Sequence, residues 1–165
     1  MESNFTLDAI DLQLLDQLQR DATLGNQALA ERAHISPPTC LRRVRRLREA
    51  GLIERQVALL HPDKLAALQG HGLTAIVEVS LQLQGEEHLS AFEARAVADD
   101  GVRQCWRVSP GPDFVLVAHT RDMPGYLALS QRLFTQDANV RNVRAFFATR
   151  RAKFETRLPL ETIKK

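Results

Sequence analysis

Between Asn26 and Ala50 the chain reads N-Q-A-L-A-E-R-A-H-I-S-P-P-T-C-L-R-R-V-R-R-L-R-E-A. Two helical patterns meet there across a break with room only for a tight turn, so the helices must cross in contact. Leu29, Ala30 and Ala33 give the first pattern a small apolar face, and Ile35 closes the contact from the break. Small side chains let two helix backbones approach closely, as a helix-turn-helix requires.

The second pattern carries its own start and stop. Ser36 is expected to accept hydrogen bonds from the first free backbone N–H groups, Pro37 takes a first-turn position where no donor is lost, and Gly51 marks the end. Wound at about 100° per residue, Ser36 to Ala50 gathers Cys40, Leu41, Val44 and Leu47 on the side expected to pack. Arg42 and Arg46 fall roughly opposite, with Thr39 beside them and Pro38 and Arg45 on the flank. A cationic face with hydroxyl and guanidinium groups fits a major groove. Arg42 and Arg46 are assigned to base edges, and Arg43 and Arg45 to phosphates or structure. The stems of Arg43 and Arg48 are expected to cover core edges while their heads reach a phosphate or a carboxylate such as Asp16 or Glu49. The competing reading is a merely solvated amphipathic helix. The preceding helix, the Ser-Pro break and the lack of compensating acids favour DNA.

Charge balance sharpens this expectation. Over 165 residues the net charge is only +2, with the positive charge concentrated between Arg42 and Arg55 and Asp8, Asp11, Asp16 and Asp21 on the preceding helix. Local charge within overall balance suits a site-specific binder better than a cation that coats nucleic acid. Cys40 and Cys105 sit in apolar patterns and read as buried thiols in a reducing compartment. The start M-E-S-N-F-T-L-D has no basic segment followed by an apolar stretch, and no run nears the ~18 apolar residues of a membrane span. A cytoplasmic protein without a membrane partner is expected.

The chain divides into four stretches: a DNA-binding domain over 1–60, a linker over 61–72, a second domain over 73–152 and a C-terminal tail over 153–165. In the first, Ile10, Leu14, Leu15 and Leu18 recur at helical spacing, with Asp8 and Asp11 at the positive end of the helix dipole. After the arginine helix, L-I-E-R-Q-V-A-L-L alternates like a pair of short strands or a wing. His61-Pro62 ends this region, D-K-L-A-A-L makes about one helical turn, and Gly70-His71-Gly72 forms the linker. Beyond it, Ala75, Val77, Val79 and Leu81 share one strand face; a helix follows through Leu89, Phe92 and Ala96. A strand over Val102–Val108, a Pro-Gly-Pro turn, a strand over Asp113–Thr120, a helix over Pro124–Phe134 and a strand over Val140–Ala148 complete the pattern. The fold class is α+β: a winged helix-turn-helix followed by a ferredoxin-like βαββαβ sandwich.

Such a sheet carries helices on one face only. F-V-L-V-A and V-R-A-F-F-A are apolar on both faces, so burial by a second copy is expected. A homodimer also multiplies the specificity of one helix in one groove by pairing half-sites about a two-fold axis. Catalysis finds no support: His34, His61, His71, His88 and His119 show no metal spacing with cysteine, and no Gly-rich phosphate loop or nucleophile elbow occurs. His119 reads as a core or interface histidine. No catalytic residue, metal ligand or cofactor is assigned. A stand-alone sensor or interaction module is the other rival, should the arginine face be covered.

The order of parts, with L-D-A-I-D-L-Q-L-L-D-Q-L-Q-R-D at Leu7 to Asp21, I-S-P-P-T-C-L-R-R-V-R-R-L at Ile35 to Leu47, G-L-I at Gly51 to Ile53 and A-L-L-H-P at Ala58 to Pro62, resembles the Lrp/AsnC (leucine-responsive, feast/famine) family of transcription regulators. The resemblance covers nearly the whole chain. It implies a DNA-binding regulator with a ligand-sensing domain that forms dimers and then tetramers or octamers on palindromic half-sites. The implied effector is an amino acid such as leucine or methionine, held where dimers meet around V-S-P-G-P-D-F-V-L. Ser109, Gly111, Asp113, Met123, Phe146, Phe147 and Thr149 are the implied contacts. Pro110 stands where relatives commonly carry glycine, and proline has no N–H to offer a carboxylate. Asp113 pairs with the effector ammonium or caps its own turn. A second departure is Arg55-Gln56, where relatives often have glycine and an aromatic; Arg55 is expected to add a phosphate contact. The alternative function is an effector-independent regulator or architectural protein whose sensor domain only oligomerises.

Overall fold

The computed structural model describes residues 5–70 and 72–160. His71 of the expected linker, residues 1–4 and residues 161–165 of the expected tail lie outside the described residues. The chain separates into two compact units: the described parts of Met1–Leu59 with Lys153–Lys165, and Leu60–Ala152. The stretch beyond Lys153, expected as a separate tail, thus groups with the N-terminal unit.

In the first unit, helix α1 (Ala9–Arg20) opens on a reciprocal cap: the Asp8 carboxylate accepts from the Asp11 N–H at 2.9 Å, and Asp11 accepts from the Asp8 N–H at 3.2 Å. Helices α2 (Asn26–Arg32) and α3 (Pro37–Glu49) follow. Leu14, Leu18, Leu29, Ala30, Ala33, Cys40, Val44 and Leu47 bury against one another at the helix crossing. The break between α2 and α3 is a left-handed cap in which His34 takes φ +54°, while His34 N–H donates to Glu31 O and Ile35 N–H to Ala30 O. Helix α3 ends on the same motif with the expected glycine: Gly51 has φ +72° and Leu52 N–H donates to Leu47 O.

Residues 52–60 carry no strand, contrary to the alternating pattern read there. A strand needs a neighbour for its backbone donors and acceptors, and none of the described residues of this unit supplies one. The stretch after Lys153 is tied to α1 by Gln19, whose side-chain amide donates to Leu158 O and whose carbonyl accepts from Leu158 N–H, both at 2.9 Å.

The second unit begins with helix α4 (Pro62–Gln69), longer than the single turn expected. Then come β1 (Leu73–Leu81), α5 (Glu86–Ala98), β2 (Val102–Arg107), β3 (Phe114–Thr120), α6 (Met123–Ser130) and β4 (Val140–Phe147). The four strands are antiparallel in the order β2-β3-β1-β4, which is the ferredoxin-like arrangement. Ala75, Val77, Val79 and Leu81 are buried with Phe114, Leu116 and Ala118 beneath Phe92 and Ala96 of α5 and Leu129 of α6. Phe92 and Phe114 meet at 4.8 Å between ring centroids. The helix expected through Phe134 changes character: a π-helical turn, Gln131–Thr135, follows α6. Its wider turn brings Leu133 and Phe134 together into the core.

Among the described residues α5 and α6 both pack on the face that carries Ala75 and Val77, and the other face of the sheet is open. Phe146, Ile76 and Val117 lie side by side across β4, β1 and β3, and Trp106 pairs with Val115 on the same face. Ile76, Phe146 and Trp106 are exposed in the single chain.

Candidate nucleic-acid interface

Helix α3 packs through Cys40, Val44 and Leu47, all buried. Pro38, Leu41, Arg42 and Arg45 form the opposite, exposed row at i, i+3, i+4 and i+7. Two expectations are corrected here. Leu41, read as a packing residue, is 61% exposed. Arg46, read as outward, turns inward and joins Arg43 on the carboxylate of Asp11, which is itself fully buried. The physical reason lies outside α3. Arg45 and Arg46 sit about equally far round from the packed side, so a wheel drawn for one helix cannot say which flank α1 covers. Asp11 of α1 settles it, and Arg42 and Arg45 are left outside.

The clamp is specific. Arg43 Nη1 donates to Asp8 at 2.7 Å and to Asp11 at 2.8 Å, while Arg46 Nη2 bonds the second Asp11 oxygen and its guanidinium lies 5.0 Å from the Phe5 ring centroid. Burial works to raise the Asp8 carboxyl, but the Asp11 N–H and the Arg43 guanidinium outweigh it and hold the pKa below the usual aspartate value. The Asp8 and Asp11 bonds in turn push the Arg43 pKa up, so it stays a fixed cation. Asp11 had been read only as a dipole partner. Its place one and two turns before Leu14 and Leu18, on the buried stripe of α1, was the signal that it needs a cation.

The remaining predicted contacts surround the exposed row. The Ser36 hydroxyl does not cap α3; it pairs with the Thr39 hydroxyl at 2.9 Å. Pro37 and Pro38 occupy the first turn and offer no N–H for it. Asn26 Nδ2 donates to Pro37 O at 2.9 Å and so pins the start of α3 to the start of α2. Arg45 bonds Glu49 at 2.7 Å, an exposed, solvent-screened i,i+4 pair that a phosphate or base can displace. Arg48 bonds Gln56 rather than Asp16 or Glu49. Arg55 is exposed, 3.8 Å from Glu54. Arg42 has no ion pair or hydrogen bond among the described residues and projects its guanidinium into solvent.

The turn between β2 and β3 shows Asp113 as a backbone cap. Its Oδ2 accepts from Leu81 N–H at 2.6 Å and Gln84 Nε2 at 3.3 Å, and its own N–H donates to Val79 O. Gly111 has φ +130°, a backbone that favours glycine, between the two prolines; Ser109 is exposed before them. The other implied effector residues lie elsewhere. Phe147 faces Ala75 and meets Tyr126 edge-on at 5.0 Å, whereas Phe146 points to the open face, beside Arg144. Met123 opens α6 and Thr149 follows β4, both exposed. From Leu81 to Ala75 the sheet runs six residues, about 20 Å. Asp113 and Phe147 therefore stand at opposite ends of β1 in one chain and do not share a pocket there.

His119 is exposed and bonds the Thr74 hydroxyl at 3.0 Å, so it is not a core residue. Cys40 is buried as expected, Cys105 only partly, and both are free thiols. Among the described residues no His, Cys, Asp and Glu cluster is placed to hold a metal, and no helix is long and apolar enough to cross a membrane.

Residues 7–54 match the winged helix-turn-helix DNA-binding family and residues 74–158 the Lrp/AsnC ligand binding domain. A leucine-responsive regulatory protein of Rhizobium meliloti is 40% identical over 89% of this chain and 92% of its own length. Two solved structures are similar throughout. An AsnC family transcriptional regulator from Agrobacterium tumefaciens has a TM-score of 0.81 at 30% identity, covering 93% of this chain and 97% of that one. A transcriptional regulator from Neisseria meningitidis in complex with L-methionine has a TM-score of 0.80 at 29% identity, with the same coverage.

Proposed function

The chain belongs to the Lrp/AsnC family of DNA-binding transcriptional regulators, and on that premise we propose that two copies of α3, carried by a homodimer, read palindromic half-sites in double-stranded DNA. Members of this family are regulators rather than enzymes. The observation that carries the reading is the division of labour on α3: Arg43 and Arg46 are anchored to Asp8 and Asp11, while Arg42 and Arg45 are held out on a rigid support. Arg42 and Arg45 contact base edges, and Ser36, Thr39, Arg48 and Arg55 contact phosphates. Arg43 and Arg46 act through the geometry they impose. The apolar row Phe146, Ile76 and Val117 is the dimer face, and dimers assemble further into a tetramer or octamer in the cytoplasm.

Arg42→Ala and Arg45→Ala are the test. Each should lower affinity for a selected duplex by about 1–3 kcal/mol without lowering the melting temperature. Unchanged affinity in both variants sinks the assignment.

For the sensor domain, an amino acid such as leucine or methionine is the proposed effector, bound where dimers meet. The separation of Asp113 from Met123, Phe147 and Thr149 within one chain fits a site completed by other copies. A second reading is favoured by the occupied Oδ2 of Asp113 and by Pro110: an effector-independent regulator whose sensor domain only oligomerises. Titrating leucine, methionine and the other amino acids while following heat, melting temperature and oligomer size separates the two. Silence across the panel selects the second.

A further inference from the structure

The exposure of Leu41 is unaccounted for by the fold. The packed side of α3 is complete with Cys40, Val44 and Leu47, all buried, and among the described residues no element buries Leu41. A single exposed leucine on a protein surface needs no explanation by itself. This one, however, lies on the row that also carries Arg42 and Arg45, one turn after the exposed Pro38 and in the first half of the helix. In a helix-turn-helix it is the N-terminal residues of the second helix that reach base edges. Pro38 and Leu41 thus form an apolar edge at i and i+3, set against the cationic edge of Arg42 and Arg45.

The major groove offers one apolar group for such an edge, the C5 methyl of thymine, beside the acceptors that guanidinium groups seek. We propose that Leu41 is a specificity-determining residue that selects thymine in each half-site by packing on that methyl. The inference rests on the DNA-reading role of α3 set out above. It separates the work on one face: Arg42 and Arg45 hydrogen-bond acceptors, and Leu41 tests for a methyl group. It also explains how a leucine is tolerated among arginines, since burial against a methyl is what its exposed surface gains on binding.

The test begins with a duplex selected from a random pool by the full-length protein. Each thymine of that duplex is replaced in turn by deoxyuridine, which keeps every hydrogen-bonding group and lacks only the C5 methyl. The wild-type protein should lose about three- to fivefold in affinity at one thymine per half-site, the effect of one buried methyl. Leu41→Ala should bind the original duplex about that much more weakly and no longer distinguish thymine from deoxyuridine there. Because Leu41 is largely exposed, the variant should melt close to the wild type, and a lost fold is detected by that measurement. Tolerance of deoxyuridine at every position overturns the inference, as does a deoxyuridine loss that persists undiminished in Leu41→Ala. In either case α3 remains the reading helix. Enrichment of no duplex at all overturns the DNA-reading role and this inference with it.

Discussion

Among the described residues, the N-terminal unit closes over eight buried apolar residues and one fully buried carboxylate, whereas the sheet unit closes over thirteen apolar residues and no buried charge. In the sheet unit the core is self-sufficient and leaves its open face free for other use. In the N-terminal unit the inside and the outside are one device. Asp11 completes a small core only because Arg43 and Arg46 neutralise it, and those two contacts decide which arginines of α3 face outward. Stability and DNA-facing geometry are therefore coupled in one unit and independent in the other.

Three substitutions probe that contrast. Phe114→Ala empties a fully buried, ring-packed position and should destabilise the sheet unit by about 3–5 kcal/mol. The single tryptophan, Trp106 on β2, reports on this unit, so its emission should show an earlier melt while the helical signal of the N-terminal unit holds. Movement of both signals together would break the division. Asp11→Ala leaves Arg43 and Arg46 without their shared acceptor; a loss of about 3 kcal/mol is expected, confined to the helical transition. DNA affinity should fall even at temperatures where the variant is folded, since the anchor of α3 is gone. If affinity is retained in the folded variant, the coupling argued above is wrong. The smallest effect is expected at His34, a non-glycine residue at φ +54°. His34→Gly removes that strain and should stabilise the N-terminal unit by about 0.5–1 kcal/mol, read as a later helical melt, leaving DNA binding untouched. A drop in stability would show that the His34 side chain contributes more than its backbone conformation costs.

What the sequence could disclose follows from whether a residue's fate depends on its own element. The burial of Ala75, Val77, Val79 and Leu81 was legible because a period of two sorts a strand's faces without reference to its neighbours. The glycine cap at Gly51 was legible for the same local reason. Leu41 and Arg46 were not, because their exposure depends on which flank of α3 meets α1, a fact of tertiary placement. Ser36 was misjudged because Pro38 removes one of the two donors that a cap uses, and the Ser36 hydroxyl pairs with the Thr39 hydroxyl rather than with the Thr39 N–H. The expected strand pair over residues 52–60 failed in the single chain because alternation signals a strand but cannot supply its partner. The implied effector residues were drawn from a resemblance rather than from this chain's own elements, and in one chain Asp113 and Phe147 stand at opposite ends of β1.

The pair of bonds between Gln19 and Leu158 also has a meaning in time. The helix that receives Leu158 is translated early, and the stretch that meets it follows only after Leu60–Ala152 has been made. At roughly 5–20 residues per second, that interval lasts about 5–20 s. For that long the three helices wait on the ribosome with one side of α1 uncovered, and the sheet unit can fold before the unit ahead of it is complete.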